Sequence, residues 1–123
     1  MPSTTTYRHG QVVVVNVPFT HDFKHTVLVR ARREPSFAQA LLAEAATLFL
    51  NGEPAAARLI LRDLVNATLG FEKLAAITDR PCKSLHRMLS QKGNPSMDNL
   101  AAIVDAVRHW LKVGIKVRSI PRA

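Results

Sequence analysis

Hydrophobic and polar positions divide the chain into segments of different period. The stretch "QVVVVNVPF" (11–19) places β-branched valines at four consecutive positions, which favours extended backbone and predicts a strand. Pro18 ends that strand or leaves it at a sheet edge. Residues 1–11 are polar and Thr-rich without periodicity, and are expected to be mobile. "THDFKHTVLVRARRE" (20–34) fits two readings: its Val-Leu-Val core leans to strand, and its charged end leans to helix.

From Pro35 the period becomes helical. Phe37, Leu41, Ala45, Leu48 and Phe49 recur at three- and four-residue steps. Asn51-Gly52 stops this helix, with Gly52 suited to a left-handed position after the last turn. Pro54 suits the first turn of the next helix, where its missing N–H costs nothing. Ala57, Leu61, Leu64, Val65 and Thr68 make a second stripe, closed by Gly70. Two short helical patterns follow, "FEKLAAIT" and "CKSLHRML", separated by "DRP". After "KGNP", Ser96 is a suitable N-cap with Asn99 three residues on. Leu100, Ile103, Val104, Val107 and Leu111 then mark a longer helix. In "KVGIKVRSI", Val113, Ile115 and Val117 alternate with Lys116 and Arg118, which predicts a half-buried strand or one paired with a copy of itself.

The expected fold is mainly α, with an N-terminal extension over 1–33, partly strand or disordered, and a helical domain over 34–123. Two short helices on a tight turn, closed by a longer helix, follow the helix-turn-helix plan. In the second short helix Leu85, Met88 and Leu89 share one side, while Lys83, His86, Arg87 and Ser90 lie on the other. A recognition helix needs that division, because its inner face fixes its angle and its outer face reaches base edges and phosphates. Arg87 suits bidentate bonds to guanine, Lys83 a phosphate or a guanine, and Ser84 with the first-turn N–H groups a phosphate. Gln91, Lys92 and Asn94 lie just beyond, where backbone contacts are common in this plan. Asp79 stands in the turn where glycine is frequent, and aspartate tolerates the left-handed conformation that such a turn demands.

Charge sharpens this picture. The chain of 123 residues carries a net charge of +8, and residues 79–123 hold nine Lys or Arg against three Asp. A polyanionic partner is favoured. Hydrophobic residues make up 47% of the chain, enough for one domain with a packed core and too many for general disorder. Cys82 is the one cysteine, so no internal disulfide is expected, in keeping with a reducing cytoplasm. No apolar run approaches the roughly 20 residues of a membrane span. His9, His21, His25, His86 and His109 show no metal-ligand spacing, and no Gly-rich phosphate loop is present. Asp98 and Asp105 need only cap and dipole roles. Neither an enzyme nor a cofactor is expected.

Taken together, "GFEKLA", "KSLHRML" and "GNPSMDNL", within the longer run from "LLAEAATLFLNGEPAAARLILRDLVNATL" to "DNLAAI", closely resemble the HigA-like, Xre-type antidote proteins of bacterial addiction modules. The resemblance runs from about Phe23 to about Ile120. It implies a five-helix, lambda-repressor-like helix-turn-helix domain with a C-terminal β-strand and a recognition helix from Cys82 to Ser90. It further implies a transcriptional repressor that binds its own operator and neutralises a RelE/ParE-like toxin. Position 82 departs from the family pattern, with cysteine where serine is usual, so a hydroxyl contact there is not carried over. Residues 9–20, "HGQVVVVNVPFT", resemble the opening strand of MazF/PemK-like toxins over about a dozen positions, with no room for the rest of such a barrel.

The expected protein is a cytoplasmic homodimer on a palindromic duplex, joined through Trp110, Leu111 and the alternating 113–117 segment. Two readings stand beside it: a stand-alone regulator of the same fold, and a protein-interaction module whose basic face takes an acidic partner.

Overall fold

The computed structural model describes residues 3–8, 11–16 and 21–122, with side chains from residue 25 onward. The described residues are mainly helical. β1 (Ser3–Arg8) and β2 (Gln11–Asn16) precede α1 (His21–Arg33), α2 (Pro35–Leu50), α3 (Pro54–Ala67), α4 (Phe71–Thr78), α5 (Cys82–Met88) and α6 (Met97–Leu111).

β1 and β2 pair antiparallel, with Thr4 opposite Val15, Thr5 opposite Val14 and Thr6 opposite Val13. The valine run thus forms the strand its composition implies. The Thr-rich segment expected to be mobile supplies the partner, because threonine is itself β-branched and suits extended backbone.

The ambiguous segment 20–34 is resolved as helix α1. Arg30, Arg32 and Arg33 fall in its last turn, where positive charge complements the helix dipole. Arg30 Nε lies 3.0 Å from Glu34 Oε2, and its guanidinium sits 4.3 Å above the Phe37 ring. Ala31 is buried and Leu28 packs on the same core as α2 and α3, so the last turns of the segment read as an extension join the helical body.

α2 and α3 form the expected αα-hairpin. Pro35 and Pro54 occupy first-turn positions, and Gly52 takes φ +85° after α2. The hairpin contributes Ala38, Leu42, Leu61, Leu64 and Val65 to the core. The other half comes from α4 to α6, where Leu74, Leu85, Leu89, Ile103 and Val107 are fully buried. One corrected position is Phe49, placed by its period on the core stripe. It stands partly exposed at the rim of a groove described below.

α6 starts as expected, with the Asn99 N–H donating to Ser96 Oγ at 3.1 Å. It ends at Lys112, which adopts the left-handed conformation (φ 59°). The expected C-terminal strand is not formed. Past the Val113 N–H, which donates to the Arg108 carbonyl, no backbone–backbone bond is found in the tail among the described residues. Alternation gives a segment strand character, but a strand exists only when a neighbour takes up its N–H and C=O groups, and this tail lies beside none.

Candidate nucleic-acid interface

Three residues join α4 to α5. Asp79 turns the chain with φ 53° and ψ 47°, as its tolerance of that region suggested. Arg80 then ties the turn to α6: its Nε donates to Asn99 Oδ1 at 2.6 Å and its Nη1 to the Thr78 carbonyl at 2.8 Å. The Asn99 side chain therefore serves Arg80 rather than the α6 cap it was expected to assist. Pro81 stands at the N-cap of α5 in extended conformation and makes no side-chain cap hydrogen bond.

α5 divides as its spacing implied. Leu85 and Leu89 are fully buried, while Cys82 and Met88 pack on the core from its edge. Lys83, His86 and Arg87 are exposed and Ser84 is half-buried. The exposed set is not uniform, however. His86 stacks on Phe71 with ring centroids 3.8 Å apart and 19° between planes, so one ring face holds α5 against α4. Ser90 Oγ donates to the Arg87 carbonyl at 2.7 Å and closes the last turn. Lys83, Arg87 and Lys92 are left as the exposed cations of this helix and its exit.

The exit is built by two residues that periodicity could not single out. Arg58, on α3, donates from Nε to the Ser90 carbonyl at 3.3 Å and from Nη2 to the Gln91 carbonyl at 3.0 Å. The end of a helix leaves carbonyls unpaired and carries partial negative charge, so a guanidinium there satisfies both demands. Gly93 is buried against the same turn: an added Cβ would fall on the Met88 carbonyl oxygen and 2.6 Å from that of Arg87. The sequence signal for Gly93 was its place in "KGNP". For Arg58 the sequence carries no distinguishing signal, since Arg62 and Asp63 are charged on the same helix.

Beyond Gly93 the loop turns away from α5. Asn94, expected near the basic residues, is exposed and also lines, with Pro95, an apolar groove of about 430 Å³. α2, α3, the start of α6 and the tail form the rest of its wall, and Arg58 is its one charged lining residue. Trp110, expected beside the alternating tail residues, lies elsewhere, with Lys73 Nζ 4.7 Å above its ring.

No family model, no curated protein and no solved structure matches the chain.

Two carboxylates depart from ordinary behaviour. The hydrogen bond from Arg108 (2.6 Å) holds Asp105 below the usual carboxylate range, with His109 adding to the effect. Burial pushes Glu44, on α2, upward; it is 5% exposed and its Oε2 has no hydrogen-bond partner among the described residues. Neither lies on α5. Among the described residues no three His, Cys, Asp or Glu side chains gather as a metal site, and no helix is long and apolar enough to cross a membrane.

Proposed function

We propose that the chain is a sequence-specific DNA-binding repressor with a lambda-repressor-like helix-turn-helix, acting as the antitoxin of a type II addiction module. The observation that carries this reading is α5 itself. A seven-residue helix is anchored by two fully buried leucines, entered through a three-residue turn, and presents Lys83 and Arg87 outward, with Lys92 at its exit. In this reading α5 enters the major groove, Arg87 reads a base edge, Lys83 and Lys92 neutralise phosphates, and His86 acts mainly as a packing residue. The module assignment, with a RelE/ParE-like toxin as second partner and a cytoplasmic setting, rests on the resemblance of "GFEKLA", "KSLHRML" and "GNPSMDNL".

A salt titration of binding to duplexes of different sequence tests the reading. Phosphate neutralisation makes log K fall linearly with log salt, and base contacts make one sequence hold at salt that releases the others. Equal, salt-sensitive binding to all duplexes and to an acidic polypeptide would leave only a basic interaction surface.

A further inference from the structure

The groove beside the α5 exit has the volume of a small-molecule site, about 430 Å³. Large apolar side chains gather on it in the open, with Met97 79% and Val117 65% exposed. Scattered apolar residues on a surface are ordinary, but a contiguous patch of this kind marks a contact site. Two polar residues interrupt the lining, Arg58 and Asn94, and no carboxylate does. Protein interfaces carry about ten direct hydrogen bonds, so a lining with two polar residues suits a small molecule better. The single charge selects its class. Arg58, in a chain of net charge +8, favours an anionic head on an apolar body and disfavours a cationic one.

Arg58 also has bonding capacity to spare. Its Nε and Nη2 donate to the Ser90 and Gln91 carbonyls at 3.3 and 3.0 Å, while Nη1 has no partner among the described residues. A bond to a carboxylate is charge-assisted and about twice as strong as one between neutral groups. An anion in the groove therefore competes with the loop for one guanidinium.

We propose that the groove binds a small amphipathic anion of the medium-chain carboxylate kind. Its head pairs with Arg58, and its apolar body lies along the walls formed by Leu61, Leu100 and Val104. Occupancy draws the guanidinium from the Ser90 and Gln91 carbonyls and loosens the loop that carries Lys92. This second part rests on the nucleic-acid reading above: the bound anion weakens the grip on duplex, and duplex in turn weakens the grip on the anion.

Calorimetric titration of the full chain with decanoate, without nucleic acid, tests the site. One decanoate should bind per chain, with a Kd of about 10 to 500 µM. Decyltrimethylammonium, with the same apolar chain and the opposite charge, should bind at least about tenfold more weakly. Arg58→Gln removes the charge, and Ala101→Phe fills the groove from an exposed position. Each should weaken decanoate at least about tenfold, with circular dichroism confirming the fold. Ile77→Glu, at an exposed position off the groove, should leave decanoate binding unchanged. A folded wild-type chain that takes no decanoate overturns the proposal and leaves the groove to a protein segment. Binding indifferent to both groove variants, or equal binding of the two amphiphiles, overturns it as well. So does decanoate binding that weakens as protein concentration rises, which would mean that another copy covers the groove.

A duplex shift assay addresses the second part separately. Saturating decanoate should lower duplex affinity about threefold to tenfold in the wild type and leave Arg58→Gln unaffected. If decanoate binds through Arg58 and duplex affinity does not move, the site stands and its coupling fails. If the wild-type chain binds no duplex, the nucleic-acid reading fails, and the calorimetry still decides the site.

Discussion

The two sides of the loop from Ser90 to Met97 differ in chemistry and in how they are held. On one side stand Lys83, Arg87 and Lys92 around a short helix whose entry and exit are tied by side chains from α6 and α3. On the other is a groove lined almost wholly by apolar groups and bordered by a tail without a ladder. In the proposed reading, the two kinds of holding suit what each surface would do. Reading base edges demands fixed geometry, because a bidentate contact tolerates little displacement. An apolar seam tolerates adjustment, because its free energy follows area removed from water rather than direction. In the nucleic-acid reading, raising salt should weaken the contacts of Lys83, Arg87 and Lys92 to phosphate, while the groove, with Arg58 as its one charged lining residue, should respond little.

The largest expected effect comes from the residue on which both sides depend. Gly93→Val should destabilise the chain by about 2–4 kcal/mol, because the new side chain meets backbone carbonyls that cannot turn aside. Thermal melting would measure it, and a variant as stable as wild type would show that the loop is free to move.

Next is Arg87→Ala, which should cost about 1–3 kcal/mol on the preferred duplex and relax preference at one position. Lys83→Ala should weaken all sequences evenly and lower the salt slope by about one. Competition shifts across single-base variants separate the two, and wild-type affinity in both substitutions would remove α5 from the interface.

Arg58→Ala should cost about 1–2 kcal/mol, since it leaves the Ser90 and Gln91 carbonyls without their charged donor. If Arg58 positions the loop, a double-mutant cycle with Lys92→Ala should show coupling well above about 0.5 kcal/mol in duplex binding. Additive losses would mean that Arg58 holds the fold and does not steer the loop.

The smallest expected effect is at Glu44, away from α5. Burial raises its pKa in the folded chain above that in the unfolded chain, so the folded state prefers the neutral acid. Its contribution is complete below the unfolded value and is lost as pH rises through the folded value. Glu44→Gln should then stabilise by about 1 kcal/mol near neutral pH, with the gain shrinking toward the ordinary carboxylate pKa. Melting at several pH values would show it, and a pH-independent difference would assign the effect to packing instead.

Much of this was legible in residue order. The proline and glycine positions marked the ends of α2 and α3, and the spacing of Leu85, Met88 and Leu89 sets the inner face of α5. Local chemistry suffices there: a fixed φ, a left-handed turn and a 3.6-residue period are properties of a few consecutive residues. Segment 20–34 was not decided locally, because Val27, Leu28 and Val29 suit either form; as helix it buries Ala31 and packs Leu28 against the core shared with α2 and α3.

The tail is the converse case: its alternation predicted a strand, and among the described residues no neighbouring strand pairs with it. Tertiary structure alone brought Arg58 from α3 to the carbonyls of Ser90 and Gln91, placed Asn94 at the edge of the groove, and spent one face of His86 on Phe71. Each depends on a residue far off in sequence arriving at hydrogen-bond or van der Waals distance. Such contacts follow from how helices cross, and no local period encodes a crossing.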